Sequence, residues 1–140
     1  FERALDACEG LTDPVVQKRS RHIIHEIERV REFAAALEAG SIRDNLEKIS
    51  GLLNASHDSL RDDYEVTVPE LDVAVDAARA AGAHGARMTG GGFGGSVIAL
   101  VDAERVEAVA DAVARAFAEH SFAAPAFFLA TPSHGAGRDR

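Results

Sequence analysis

Between Gly85 and Ser96 the chain reads Gly-Ala-Arg-Met-Thr-Gly-Gly-Gly-Phe-Gly-Gly-Ser, and five of the six residues from 90 to 95 are glycine. Each glycine costs up to about 1 kcal/mol of conformational entropy relative to alanine, so such a run marks a backbone with a special task. Two tasks fit. A tight hairpin uses glycine for positive φ angles, although a two-residue turn needs only one or two. Alternatively, main-chain amides stripped of side chains crowd around an anion, as in a phosphate-binding nest. On the second reading Thr89, Gly90, Gly91, Gly92, Phe93, Gly94 and Gly95 form a phosphate or nucleotide loop. Gly92→Val is then expected to lower turnover far more than stability, because a β-branched side chain bars the backbone from a phosphate.

Common nucleotide signatures do not account for the run. Gly90, Gly92 and Gly95 satisfy G-x-G-x-x-G, but a dinucleotide site needs a helix directly after the loop, and Val97 to Val101 reads as a strand. A Walker A loop fails for want of Gly-Lys-Ser/Thr. The protein-kinase loop requires a lysine on the following strand, and no lysine occurs after Lys48. Arg87 could add positive charge beside a phosphate, point to solvent, or pair with an acid. His22, His25 and Glu26 share one helical face and could in principle hold a metal, although a solvated face explains them as well. His57, Asp58, Asp62 and Asp63 invite a general-base role or one in packing and loop anchoring. Tyr64 and Met88, each the single residue of its type, read as core or rim contacts. Cys8 is a lone thiol with no visible activator.

The elements that must position these residues follow from periodicity and punctuation. Asp13-Pro14 is a helix start, and Ile23, Ile27, Val30, Ala34 and Leu37 recur at spacings of three and four until Gly40. Ser41 with Asp44 resembles a capping box, after which Ile42, Leu46, Ile49, Leu53 and Leu60 predict a second long helix. Thr67 and Glu70 predict another capping box around Pro69, opening a shorter helix that stops at Gly82. Two strands, His84 to Thr89 and Ser96 to Val101, flank the glycine run. A helix from Glu104 to about His120 and a strand over Ala126 to Ala130 complete the pattern. Pro132 to Arg140 is expected to be a frayed tail. The fold class is α+β: a small antiparallel sheet with helices packed on it.

Composition bounds the rest. With 140 residues, 46% apolar and 27% charged, the chain fits one domain, residues 1–140. Net charge is −8, and only Lys18 and Lys48 are lysines, so nucleic acid and anionic membranes are disfavoured partners. One cysteine excludes an internal disulfide and suits a cytoplasmic setting. The opening Phe1-Glu2-Arg3-Ala4-Leu5 reads as a helix already under way, which suggests a fragment of a longer chain.

The stretches "ARMTGGGFGGS" (Ala86 to Ser96), "SHDSLRDDYEVTVPELD" (Ser56 to Asp72) and "KRSRHIIHE" (Lys18 to Glu26) together resemble the C-terminal half of the galactokinase branch of the GHMP small-molecule kinases. The glycine stretch is similar to that superfamily's third motif. The resemblance implies a ferredoxin-like α+β domain and, in the full-length chain, ATP-dependent phosphorylation of galactose at its anomeric hydroxyl, with Mg²⁺. It implies that no catalytic residue lies in this chain, that the loop 89–95 closes near the phosphates, and that the partners are an N-terminal domain of the same polypeptide, a sugar and ATP. Neither cofactor is expected to bind this half tightly, and this half alone is expected to be inactive. A non-catalytic sugar or nucleotide sensor, or a kinase for another sugar, stands as the alternative.

Overall fold

The computed structural model describes residues 1–131. The frayed tail expected from Pro132 lies outside the described residues. Helices α1 (Glu2–Glu9), α2 (Pro14–Ala39) and α3 (Leu46–Ser59) lead into a single π-helical turn at Leu60–Tyr64. Helix α4 (Pro69–Ala80) precedes the hairpin of β1 (Gly85–Thr89) and β2 (Ser96–Leu100), and a 3₁₀ turn at Ala103–Arg105 leads into α5 (Val106–Glu119). The α+β expectation holds, with one two-stranded antiparallel sheet among the described residues. Gly85 pairs with Leu100 and Thr89 with Ser96.

Local chemistry explains most boundaries. The Asp13 carboxylate accepts from the Val15 and Val16 amides, at 2.8 and 3.2 Å, and Pro14 occupies the first turn where its missing N–H costs nothing. Ser41 and Asp44 exchange the reciprocal side-chain bonds of a capping box, which closes the turn 42–45, while α3 begins behind Asn45 with no side-chain cap of its own. The second predicted box does not form. Val68 is the N-cap of α4 without a side-chain bond, and Thr67 Oγ1 turns instead to Asp72 Oδ2 at 3.2 Å.

Two apolar clusters meet through β1, whose inward residues are the fully buried Ala86 and Met88. Ala86 joins Val75, Ala78, Val109 and Val113 between α4, α5 and the sheet. Met88 joins Leu60, Val66 and Leu71 under the π turn. Helix α3 lies flush against β1 because Gly85 has no side chain: a Cβ there would sit 3.0 Å from the Ser50 backbone.

The periodic stripe of α2 does not face this core: Ile23, Ile27, Val30 and Leu37 are 43–66% exposed. Periodicity marks an apolar face without saying what covers it. One expectation is corrected: the strand expected over Ala126 to Ala130 is absent among the described residues. Phe128 and Leu129 are 90% and 84% exposed, because the segment finds no neighbouring strand to complete its hydrogen bonds.

The exposed stripe sets up a direct comparison. In this chain Ile49→Ala should cost about 2–5 kcal/mol by urea unfolding, whereas Ile27→Ala should stay within about 0.5 kcal/mol. Equal losses would return the α2 stripe to the core.

Candidate functional site

The glycine run connects β1 to β2 and needs its glycines partly for conformation. Gly90, Gly92, Gly94 and Gly95 have positive φ, as does Phe93 at +59°. Gly92 has a second constraint. A Cβ there would lie 2.8 Å from Val66 Cβ and closer still to the Val66 carbonyl oxygen. The neighbouring Phe93 N–H donates to that same carbonyl at 2.7 Å. The crest of the loop is thus pressed onto the segment leaving the π turn. The Gly92→Val expectation is therefore revised: that substitution breaks loop docking and costs stability as well as approach.

Gly90, Gly91 and Gly94 differ, because a Cβ at each would meet nothing within 4 Å. Among the described residues the Phe93 N–H is the one amide of 90–95 with a protein acceptor. The amides of Gly90, Gly91, Gly92, Gly94 and Gly95 are therefore donors without an internal use. Unpaired amides in a glycine-rich turn are the donor set of an anion nest. Phe93 stands 75% exposed at the edge of an open cleft of about 840 Å³, whose walls include Arg19, Ile23, Tyr64, Glu65 and Val66. On the other face of the sheet, Thr89, Arg87 and Ile98 reach a groove of about 500 Å³ bounded by Val30, Phe33 and Leu53.

The polar residues around the loop are occupied with one another. Arg87 Nε donates to the Met88 carbonyl at 2.9 Å and its Nη1 lies 3.7 Å from Glu26, so it pairs with an acid rather than facing the loop's free amides. Glu26 also bonds Arg29 and Ser56. Burial pushes the Glu26 carboxyl up, and the bonds from Arg29 and Ser56 outweigh that and hold it below the usual carboxylate range. Asp58 binds Arg79 at 2.9 Å, Asp62 is held by Arg61, and Asp63 sits 3.3 Å from Arg21. Glu65, in a left-handed conformation after the π turn, takes Lys18 and Arg19. The anchoring reading of this acidic segment thus fits the contacts.

The three residues of the α2 face go separate ways. His22 is buried, its Nδ1 3.0 Å from Ser59 Oγ and its ring stacked 4.5 Å from Tyr64. His25 meets the ring of Phe1, and Glu26 turns to its arginine. Among the described residues no group of three or more His, Cys, Asp or Glu side chains is placed to hold a metal. Cys8 is buried, its thiol donating to the Gln17 carbonyl at 3.2 Å.

One pair escaped the sequence reading. His57 is fully buried, and its Nδ1 accepts from the Met88 N–H at 3.2 Å, while its Nε2 lies 3.2 Å from Asp72 Oδ1. A usable signal existed: His57 continues a stripe of buried Ile49, half-buried Leu53 and, in the π turn, buried Leu60, so an imidazole there occupies an apolar position.

Comparison with known proteins gives a concordant result. The family described as GHMP kinases C terminal matches residues 33–119. The chain is 51% identical over 133 residues to a galactokinase of Streptomyces coelicolor, covering 94% of this chain and 33% of that protein. Its fold is similar to the crystal structure of Lactococcus lactis galactokinase complexed with galactose, with a TM-score of 0.77 and 44% identity over 86% of this chain and 31% of that one. The chain thus spans about a third of the length of these relatives. No helix among the described residues is long and apolar enough to cross a membrane.

The buried imidazoles predict a pH response. Burial lowers the pKa of both His22 and His57 from the ordinary imidazole value. The groups facing His57 are Asp72 and Arg79 of α4, Asp58 of α3 and Arg61 of the π turn; the acids oppose that shift and the arginines add to it. The unfolded chain binds these protons more readily, so stability is complete above about pH 6.5 and declines as pH falls below it. Urea midpoints should drop between about pH 7.5 and 5.5, and the double variant His22→Gln, His57→Gln should flatten that window. A midpoint constant across it contradicts buried neutral imidazoles.

Proposed function

Because the chain belongs to the GHMP kinase C-terminal family, we propose that it is the C-terminal domain of a galactokinase and presents its glycine loop to the phosphates of ATP. In the whole protein the γ-phosphoryl group passes to the anomeric hydroxyl of galactose, and the proton of that hydroxyl leaves to a base outside this chain. The observation that carries the reading is the set of loop amides with no internal acceptor, on a loop whose Phe93 lines an open cleft.

Phosphoryl transfer leaves little covalent work to protein groups. Catalysis is positioning plus stabilisation of charge on the phosphate oxygens. ATP, when bound, supplies the phosphoryl group. The amides of Gly90, Gly91 and Gly94 donate toward its oxygens, and each hydrogen bond to a charged group contributes about 1.5–3 kcal/mol. Repulsion from the net charge of −8 is screened over about 8 Å at physiological salt, so two or three local donors prevail. Magnesium finds no comparable fit. Glu65 is committed to Lys18 and Arg19, and Asp72 gives one oxygen to Thr67 while the other faces His57 Nε2 at 3.2 Å. The ion is left to residues outside this chain.

The remaining portion of the protein also accounts for two unsatisfied surfaces. The α2 stripe of Ile23, Ile27, Val30 and Leu37 is too apolar to be left to water, and the extended segment Ala126 to Ala130 lacks a strand neighbour. We assign both to contacts with an N-terminal domain of the same polypeptide, in the cytoplasm where ATP is plentiful. Alone, this half is inactive.

The test joins this chain to a galactokinase N-terminal portion and assays ATP-dependent phosphorylation over a panel of free sugars. Galactose should be preferred. Gly91→Val, at a position open to solvent, should lower kcat about tenfold or more with stability changed by less than about 0.5 kcal/mol. Full turnover by that variant would reduce the loop to a turn.

A further inference from the structure

We propose that His57 and Asp72 are positioning residues, a polar latch that holds both the entry and the crest of the glycine loop. The proposal rests on the phosphate reading of that loop. It starts from a cost: an imidazole with no exposed surface, on a helix stripe otherwise filled by Ile49, Leu53 and Leu60, must be repaid by the bonds it makes.

Those bonds run to the loop at two points. Because Nδ1 accepts the Met88 N–H, the ring is neutral and carries its proton on Nε2. That proton faces Asp72 Oδ1 at 3.2 Å, at an angle short of a hydrogen bond, and neither atom has another partner among the described residues. The other carboxylate oxygen of Asp72 accepts from Thr67 Oγ1 at 3.2 Å. Thr67 follows Val66, whose carbonyl receives the Phe93 N–H at 2.7 Å and against which Gly92 is pressed. A single chain of contacts therefore runs from Met88, one residue before the loop, through His57, Asp72, Thr67 and Val66 to its crest at Phe93.

A leucine at position 57 would fill the space and free the Met88 amide. An Asp72 without its carboxylate would release both the imidazole proton and the Thr67 hydroxyl. In each case the fold keeps its apolar clusters while the loop loses its register. A displacement of about 1 Å in a positioned group costs up to about 10²-fold in rate.

The test uses the full-length protein carrying this chain, with His57→Leu, His57→Gln and Asp72→Ala. Hydrogen exchange over residues 86–95 is measured beside kcat and the KM values for ATP and galactose, with thermal unfolding as the check on folding. His57→Leu and Asp72→Ala should exchange the bonded amides of Met88 and Phe93 about tenfold faster and lower kcat by about tenfold or more, with KM for galactose within about twofold. His57→Gln, whose side chain has both an acceptor for Met88 and a donor for Asp72, should recover most of both losses. Unchanged loop exchange in the folded Leu and Ala variants, or a Gln variant no better than Leu, overturns the latch. If His57→Leu does not fold, Asp72→Ala decides, since that side chain is 26% exposed and its removal leaves little void. Faster loop exchange in a protein that never phosphorylates sugar supports the latch and overturns the kinase reading. An active kinase that Gly91→Val silences and the latch variants leave untouched does the reverse.

Discussion

The outer edge of β1 is closed by side chains rather than by another strand, and the placement of the site depends on that. The Ala86 amide donates to Asn54 Oδ1 at 3.0 Å, the Met88 amide to His57 Nδ1, and the Ala86 carbonyl accepts from Arg79 at 3.0 Å. Exposed strand edges are open to wrong pairing, and side-chain partners remove that option while satisfying the main chain. Here they also fix the hairpin against α3 and α4, and so fix where its turn emerges. The loop reaches the cleft because the strand beneath it is held from the side.

A division of labour follows from how the polar groups are spent. Between Ser56 and Asp72 nearly every charged or hydroxylated side chain is consumed in an internal contact: Ser56 with Glu26, Asp58 with Arg79, Ser59 with Asp63, Glu65 with Arg19. What is left over near the cleft is main chain. Conformational cost points the same way, since positive φ at four glycines and at Phe93 is local strain that the surrounding contacts must hold in place. The Val66 carbonyl and the latch beneath it supply that restraint, so a loop without side chains of its own is still held in one shape.

Much of this was legible in the sequence where a residue acts through its own backbone. Asp13-Pro14, the Ser41 and Asp44 exchange, the stop at Gly40 and the hairpin around the glycine run are all local events, and the structure has them. Effects set by distant partners were not legible. The α2 stripe has the period of a core face, yet Ile23, Ile27, Val30 and Leu37 are 43–66% exposed. The run Ala126 to Ala130 has strand composition and, among the described residues, no strand to pair with. Thr67 abandons its expected cap because its hydroxyl donates to the Asp72 carboxylate in the first turn of α4. Gly92 resembled its neighbours in sequence and differs from them only because Val66 lies against it. His57 was visible as an imidazole on an apolar stripe, but its link to Met88 crosses 31 residues.

The central claim is that bare amides at the crest of the hairpin receive the phosphates. The most direct measurement follows the amide resonances of the full-length protein as a non-hydrolysable ATP analogue is added. The signals of Gly90, Gly91 and Gly94 should move on binding, shift less with ADP, and stay still when galactose is added alone. Saturation by the analogue with those signals unmoved would contradict the account, because the phosphates would then rest elsewhere.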